Sequence, residues 1–472
     1  MNKYKYLAKN TIVFFIGSFT SKILVFLLLP LYTSVLTTSE YAISDLMSTS
    51  VNLLNIVLTL MISEAVLRFS IENRYKKSEV LSVGIIFIVV SSIIFGFGVL
   101  VISKLNIIEI FEGYWIKFFL LYLTYSANHL FAGFIRGMEK VNLIAITGVI
   151  GTIVTVVLNI VLLVVFKYGI NGYITSMIVS NFVICLIYIF FGKIYKYVNI
   201  KALNKDLIFE MVRYSAPIVI TQVAWWINSA IDRYMVTWLM GTSETGLLSA
   251  AHRIPSILTV FTGIFMQAWK LSAIKEYESE SSQMFFSKML NTYNALLVVA
   301  GGFVIAFIKP ISGLIFKGDF ASAWYLVSPF ILAFIINGVS AFLGTFYIAS
   351  KNTKSLMKST LIGATINIIL NYILIKKVGT IGSGIATAIS YFVISIIRIV
   401  QVKKQIKLQI EFRRIIPSYI LLILLTAFVS LGIKNVVAIS SVLVITLVVL
   451  NSKYILQLKG VGLALIGKRR KK

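Results

Sequence analysis

Long apolar segments follow one another along almost the whole chain, and few charged residues interrupt them. Each segment has about 20 residues, the length at which an α-helix crosses a hydrocarbon core of about 30 Å. A β-barrel would instead need alternating strands of about ten residues, which this sequence lacks. With 58% hydrophobic and 13% charged residues among 472, the chain is predicted to be an all-α polytopic membrane protein.

The apolar segments predict about fourteen transmembrane helices. We place them at 10–36, 41–70, 80–103, 114–136, 142–166, 170–192, 213–240, 245–271, 287–308, 322–350, 355–376, 380–402, 415–433 and 435–456.

The basic residues are unevenly distributed among the predicted loops. Of 44 Lys and Arg, 32 fall in the two termini and every second loop, whereas eight fall in the alternate loops and four within helices. Such a bias is typical of cytoplasmic loops, so we expect both termini to be cytoplasmic. The basic tail 468–472 is expected to contact anionic lipid. It lacks the folded basic face that nucleic-acid binding would need.

The two halves of the chain repeat each other. The segment VLNIVLL at Val157 is similar to ILNYILI at Ile369, and the turn LTTSEY at Leu36 is similar to MGTSET at Met240. Gly169 and Gly172 recur 210 residues later as Gly379 and Gly382. We therefore predict two parallel six-helix bundles, 1–192 and 207–402, joined by a cytoplasmic linker, 193–206, and followed by two extra helices and a basic tail, 403–472.

Charged residues within the predicted helices mark the candidate site. An ionised side chain near the middle of a bilayer costs about 2.5–3.5 kcal/mol, so such residues tend to face a protein-lined or water-filled interior. They lie on the opening helices of the two repeats. The residues predicted to line a substrate cavity, as a ladder of cations with one carboxylate, are Lys22, Arg68, Asp232, Arg233 and Arg253.

Each of these charges also has a structural alternative. Glu64 and Arg68 are four residues apart and could pair, and Arg68 could extend to the membrane surface. Asp232 could bond to a neighbouring helix. Glu64 and Asp232 are also the candidates for binding a coupling ion, H⁺ or Na⁺, and no other cofactor is expected.

The sequence disfavours an enzyme. Cys185 is the only cysteine, and the two histidines, His129 and His252, have no metal-ligand spacing. Packing between helices is the simpler interpretation for both, although His252 adjoins Arg253. A membrane polymerase of sugar repeats would be expected to have a large external loop, and a glycosyltransferase a pair of nearby aspartates. Neither is present, so we predict no catalytic or metal site.

Several motifs resemble a known family of transporters. They are KNTIVFFIG at Lys9, LLPLYTSVLTTSEY at Leu28, DRY at Asp232 and GLLSA at Gly246. They are similar to the polysaccharide-transporter branch of the multidrug/oligosaccharidyl-lipid/polysaccharide (MOP) exporters, and to O-antigen flippases of the Wzx type in particular. The chain has Ala42 where that family usually has glycine. The resemblance implies a V-shaped pair of six-helix bundles, with Lys22, Asp232, Arg233 and Arg253 in the central cavity.

The resemblance also implies a function. The expected protein is a flippase in the bacterial inner membrane that translocates undecaprenyl-diphosphate-linked oligosaccharide repeat units for O-antigen, capsule or exopolysaccharide by alternating access. Its expected partners are the lipid-linked oligosaccharide, membrane lipid and a polysaccharide polymerase, and not nucleic acid. The alternative is an ion-coupled multidrug exporter of the same superfamily. The excess of internal cations favours the anionic cargo.

Overall fold

The structure, a computed structural model, is helical throughout the part that it describes. The described residues are 24, 26–72, 74–199, 204–277, 282–350, 352–433 and 436–469, and no β-strand occurs among them. Most of the first predicted helix, including Lys22, and both chain ends lie outside these ranges.

The chain folds into two compact units, Met1–Ala230 (unit 1) and Ile231–Lys472 (unit 2). The division falls inside one long helix. The domain limits predicted at 192, 206 and 402 stay predictions.

In the described residues, seven helices and most of an eighth belong to unit 1. They are α1 (Leu29–Val35), α2 (Thr38–Leu58), α3 (Ile62–Glu72), α4 (Lys77–Leu105), α5 (Trp115–Gly137), α6 (Val141–Asn159, extended by the π-helical Ile160–Val165), α7 (Gly169–Phe190) and α8 (Lys205–Met240), which crosses into unit 2.

The described part of unit 2 continues with eight further helices. They are α9 (Thr242–Glu276), α10 (Ser282–Ala306), α11 (Ile308–Ile315), α12 (Trp324–Ala349), α13 (Thr353–Val378), α14 (Ile381–Gln405), α15 (Phe412–Ser430) and α16 (Val436–Arg469).

Within the described residues, eleven helices are long and apolar enough to cross a membrane, or twelve if α2 and α3 form one bent span. Two predicted spans are not in this count: 10–36, which lies mostly outside the described residues, and 245–271, which falls within the 35-residue helix α9. The all-helical membrane fold is confirmed. The total of fourteen spans stays a prediction.

The predicted single helix 41–70 is broken in the structure. α2 and α3 meet at an angle of 56°, because Leu60 and Met61 have φ values of 51° and 53°. Bulky residues rarely adopt this left-handed conformation, which cannot continue a right-handed helix. α2 begins at a capping box, in which the Glu40 backbone N–H donates to Thr37 Oγ1 at 3.2 Å and the Thr37 N–H donates to Glu40 Oε2 at 2.9 Å.

The first turns of α8 pack into the core of unit 1. Leu207 and Met211 are fully buried there with Val66 on α3 and Phe134 on α5. This burial explains why the start of α8 belongs to unit 1, and it fixes the beginning of α8 beside the end of α3.

Unit 2 is built around α12. In the span that contains α12, 89% of the 18-residue apolar stretch is buried inside the protein. The corresponding share in the other ten spans is 22–56%. The surrounding helices leave many apolar side chains exposed, as expected where a surface faces lipid.

The repeated sequence motifs make the same contacts inside each unit. A Cβ added to Gly172 would lie 3.2 Å from the carbonyl oxygen of Leu162, and one added to Gly382 would lie 2.5 Å from that of Leu374. In both places only glycine lets the two successive helices approach this closely. The internal repeat that the sequence predicts is therefore visible in the helix packing.

The repeated turns also agree. The carboxylate of Glu40 accepts the Ile170 backbone N–H at 3.5 Å in unit 1, and Glu244 accepts the Thr380 hydroxyl at 2.6 Å in unit 2. In each unit, the turn glutamate thus ties the start of one helix to the start of another.

Candidate functional site

The turn between α8 and α9 brings together charges that lie 20 residues apart. Gly241 has a φ of 92°, which ends α8 and reverses the chain. The hydroxyls of Thr237 and Thr245 then meet at 2.8 Å across the two helices. About two turns further from the reversal, Asp232 on α8 faces His252 on α9.

Asp232, Arg233 and His252 form a cluster of charged and titratable groups. His252 Nε2 lies 2.8 Å from Asp232 Oδ2. The Arg233 backbone N–H donates to Asp232 Oδ1 at 2.9 Å, and Arg233 Nη1 lies 3.7 Å from the same oxygen. The Asp232 side chain is only 5% exposed, so the two neighbours supply the compensation that a buried carboxylate needs.

Apolar side chains enclose one side of this cluster. The ring of Phe330 on α12 lies 3.9 Å from the His252 ring, centroid to centroid. Phe330 is 4% exposed and packs with the fully buried Val236, Leu248 and Ile375. Water is thus kept from that face of the imidazole, which strengthens its interaction with the carboxylate.

The cluster brings an acidic and a basic side chain into direct contact. An imidazole beside a carboxylate can carry a positive charge or share a proton with it, and a change in occupancy alters the charge balance of the whole cluster. The predicted residues Asp232 and Arg233 therefore belong together. The third member, His252, was predicted to be a packing residue, although it was noted as the neighbour of Arg253.

Arg253 follows His252 on α9 and is half-buried. Adjacent residues of a helix point in different directions, so Arg253 and His252 do not share one face. Its assignment to a substrate cavity stays a prediction.

Arg68 lies at the end of α3, away from the bend between α2 and α3. Its Nε bonds to Glu72 Oε1 at 2.7 Å, and its guanidinium carbon lies 4.6 Å from the centre of the Tyr214 ring. The alternative pairing of Arg68 with Glu64 is wrong, because Arg68 pairs with Glu72, one turn further along α3. Among the described residues, Glu64 makes no side-chain hydrogen bond or ion pair.

Lys22 lies outside the described residues. The contacts reported for the other candidates lie within unit 1 or within unit 2. The placement of all five predicted residues in one cavity stays a prediction, as does ion binding by Glu64 or Asp232.

Sequence reasoning missed a buried cation, Arg398. The charge distribution assigned it to the loop 398–414, yet it lies in α14 and is 2% exposed. Its guanidinium donates to the Ser340 carbonyl at 2.8 Å, the Ser359 hydroxyl at 3.1 Å and the Thr360 hydroxyl at 3.0 Å. These partners lie 38 to 58 residues away in the sequence, so no local pattern indicated them.

Arg414 is a second cation that the sequence placed in a loop. It is 8% exposed, donates to the Asn291 carbonyl at 3.0 Å and lies over the Tyr454 ring at 4.5 Å. It joins α10, α15 and α16, so its contacts are those of a structural tie.

A metal centre is not evident. No group of three or more His, Cys, Asp or Glu that could hold a metal ion occurs in the part of the chain that the structure describes.

Comparison with known proteins identifies the family. Residues 7–270 match the family described as "Polysaccharide biosynthesis protein", which is more than half of the chain. The chain belongs to this family. The predicted resemblance is confirmed.

The chain is also similar to the "Probable low-salt glycan biosynthesis flippase Agl15" of Haloferax volcanii. The two are 23% identical over 248 residues, which is 51% of this chain and 51% of that protein. The match therefore spans about half the length of this relative.

Two solved structures share the fold. The first, "Lipid II flippase MurJ, inward closed conformation", has a TM-score of 0.69 at 17% identity and covers 94% of this chain and 99% of its own. The second, the inward-facing conformation of a multidrug resistance MATE family transporter of the MOP superfamily, has a TM-score of 0.68 at 15% identity and covers 82% of this chain and 94% of its own. The predicted MOP fold is thus confirmed.

Proposed function

We propose that this protein is a flippase that moves a lipid-linked oligosaccharide from the cytoplasmic to the outer leaflet of a bacterial inner membrane. The observation that carries the proposal is membership of the polysaccharide biosynthesis family. The name of the Haloferax volcanii relative, a glycan biosynthesis flippase, and the fold shared with a lipid II flippase support it.

The internal charges define the cargo that we propose. Arg233, Arg253 and Lys22 are cations within predicted helices, and a diphosphate is the anion that arginine binds with well-directed hydrogen bonds. The cargo is an undecaprenyl-diphosphate-linked repeat unit of O-antigen, capsule or exopolysaccharide. Its polyprenyl tail stays in lipid while the diphosphate and sugars cross, and a polysaccharide polymerase receives the product.

In alternating access, a coupling ion must favour one of the two conformations, inward-open or outward-open, by binding to a group whose surroundings differ between them. We place that group at the Asp232–His252 pair, with H⁺ as the coupling ion in preference to Na⁺, because an imidazole binds protons near neutral pH. Arg233 stays positively charged beside Asp232 whether or not the pair has bound the proton. Glu64, half-buried on α3, is the second candidate.

The alternative is an ion-coupled multidrug exporter. The specific observation in its favour is that the MATE transporter matches the fold almost as well as the lipid II flippase, with TM-scores of 0.68 and 0.69. Cationic drugs would be repelled by internal arginines, so the charge of the interior favours the anionic cargo.

Reconstitution of the full chain into liposomes separates these functions. A short polyprenyl-diphosphate-linked saccharide is placed in the membrane, and the fraction reached by an external lectin is followed over time. The flippase predicts protein-dependent exchange between leaflets and no uptake of a cationic dye. Dye transport without saccharide exchange would favour the drug exporter and reject the flippase.

A further inference from the structure

An open surface pocket, with about 300 Å³ of accessible space, lies in unit 1 where the end of α3 meets the first turns of α8. Three arginines, two glutamates and two aromatic rings line it. The arginines are Arg68, Arg74 and Arg213. By the distribution of basic residues, this end of both helices is predicted to face the cytoplasm.

Aromatic rings hold one side of the cavity in place. Phe69 is 7% exposed in the core of unit 1, and its ring lies 6.2 Å from that of Tyr214 at an interplanar angle of 70°. Arg68 lies over the Tyr214 ring at 4.6 Å. A guanidinium stacked in this way keeps its plane and its edge donors in a fixed direction.

Each of the two glutamates forms an ion pair with one of the arginines. Arg68 Nε bonds to Glu72 at 2.7 Å, and Arg74 Nη1 bonds to Glu210 at 3.2 Å. Both arginines are more than half exposed, at 52% and 66%. Ion pairs this exposed are weak, so a more highly charged anion can displace the carboxylates.

Arg213 is the third cation. It is exposed and forms no hydrogen bond or ion pair with any residue that the structure describes. Its positive charge therefore faces the same cavity without a carboxylate to balance it, and the cavity has a net attraction for anions.

Two exposed apolar side chains adjoin lining residues in the sequence. Ile71 precedes Glu72 on α3 and Phe209 precedes Glu210 on α8, and the two are 52% and 67% exposed. Exposed apolar side chains of this size beside a charged pocket suit a ligand with a hydrocarbon chain and a charged head.

We propose that this pocket binds the phosphate groups of a lipid diphosphate. Its volume is at the lower end of known ligand pockets, which fits a diphosphate head and not a whole oligosaccharide. Arginine forks bind phosphate oxygens in pairs, and three of them suit two linked phosphates. This inference rests on the proposed function: the pocket would receive the cargo at the cytoplasmic leaflet before translocation.

The test uses the purified full chain in phosphatidylcholine nanodiscs, with farnesyl diphosphate as the probe and binding measured by native mass spectrometry. Arg213→Gln should weaken binding about tenfold, the usual effect of one charge-assisted hydrogen bond. Arg213→Lys keeps the charge without the fork and should fall between Arg213→Gln and wild type. Lys76→Gln removes a nearby exposed cation outside the pocket and is the matched control, with unchanged binding.

The glutamates give the sharper test. Glu72→Gln and Glu210→Gln remove the competing carboxylates, so each should bind farnesyl diphosphate several-fold more tightly. A purely structural pocket predicts the opposite, weaker binding with a lower unfolding temperature. Wild-type binding by Arg213→Gln, or weaker binding by both glutamate variants, would overturn the proposal.

Two further probes identify the source of the phosphate. Inorganic pyrophosphate that binds as tightly as farnesyl diphosphate would overturn the assignment to a lipid. Loss of farnesyl diphosphate binding in nanodiscs that contain phosphatidylglycerol would mean that bulk anionic lipid occupies the pocket, and would overturn the assignment to the cargo.

The pocket and the flippase assignment can fail separately. If Arg213→Gln loses farnesyl diphosphate while wild type moves no lipid-linked saccharide in liposomes, the pocket stands and the flippase fails. If wild type moves the saccharide and Arg213→Gln binds farnesyl diphosphate normally, the flippase stands and the pocket fails.

Discussion

Unit 1 and unit 2 each hold one histidine between packed helices, and the two side chains have different partners. In unit 1, His129 Nδ1 lies 2.9 Å from the hydroxyl of Ser63. In unit 2, His252 Nε2 lies 2.8 Å from the carboxylate of Asp232. The hydroxyl is a neutral hydrogen-bond partner for the imidazole of His129, whereas the carboxylate is a charged partner for that of His252.

The two units differ in the partners of their buried polar side chains, whereas the contacts that hold their helices together are similar. The glycine contacts at Gly172 and Gly382 and the turn glutamates Glu40 and Glu244 are shared by the units. Unit 1 also buries a carboxylate, Asp45, at 8% exposure. Among the described residues, the direct contact between a buried acid and a histidine occurs in unit 2, and this contact is the reason why we propose ion coupling there.

The largest effect is expected when the carboxylate of unit 2 is removed. Asp232→Ala leaves Arg233, 15% exposed, without its neighbouring acid, and losing one partner of a buried pair costs about 3–5 kcal/mol. The free energy of unfolding, measured by denaturant titration in detergent micelles, should fall by about that much.

The matched change in unit 1 should be milder. Ser63→Ala removes one neutral hydrogen bond to His129 and should cost about 1 kcal/mol. Equal losses for Ser63→Ala and Asp232→Ala would remove the distinction between the two interiors.

The shared scaffold predicts a second, smaller pair of effects. In Gly382→Ala the new Cβ would lie 2.5 Å from backbone atoms of Leu374, so the backbone must move, at a cost of about 1–3 kcal/mol. In Gly172→Ala the contact with the Leu162 carbonyl oxygen is 3.2 Å, and the cost should be lower. Thermal unfolding of the two variants measures this order. No loss in either would mean that the repeated glycines do not hold the helices together.

The smallest effect concerns α15 and α16, which follow the predicted repeat in unit 2. Burial raises the pKa of Glu411, but the Tyr454 hydroxyl at 2.6 Å, Lys453 and Arg414 outweigh it, so the pKa lies below its usual value. Because the folded-state pKa is lowered, this stabilisation is complete above the unfolded-state pKa and disappears as the pH falls through the folded-state value.

Glu411 is 40% exposed, so its contribution should be about 0–1 kcal/mol. Unfolding of wild type and Glu411→Gln, compared between neutral and acidic pH, should show a difference at neutral pH that disappears in acid. A difference that grows in acid would contradict this sign.

Much of the fold could be predicted from the sequence. The apolar segments predicted the helices because a membrane span must satisfy its own backbone. The glycines that recur 210 residues apart indicated a repeat, and in the structure they lie at equivalent helix contacts. The break at Leu60 and Met61 could not be predicted, since neither residue favours a positive φ and only the surrounding packing selects it.

The candidate site was predictable only in part. Asp232 and Arg233 stand out because charges are rare in an apolar helix. The link between Asp232 and His252 depends on how α8 and α9 pack after Gly241, and no sequence spacing shows that. Arg398 was missed because a charge near a helix end looks like a loop charge until the depth of its helix in the protein is known.

The most direct test compares the two histidines in the same transport assay. His252→Gln and His129→Gln are reconstituted into liposomes, and leaflet exchange of a short polyprenyl-diphosphate-linked saccharide is measured with and without a pH gradient. We predict that wild type and His129→Gln are accelerated by the gradient and that His252→Gln is not. Equal acceleration of the two variants would contradict the assignment of ion coupling to the Asp232–His252 pair.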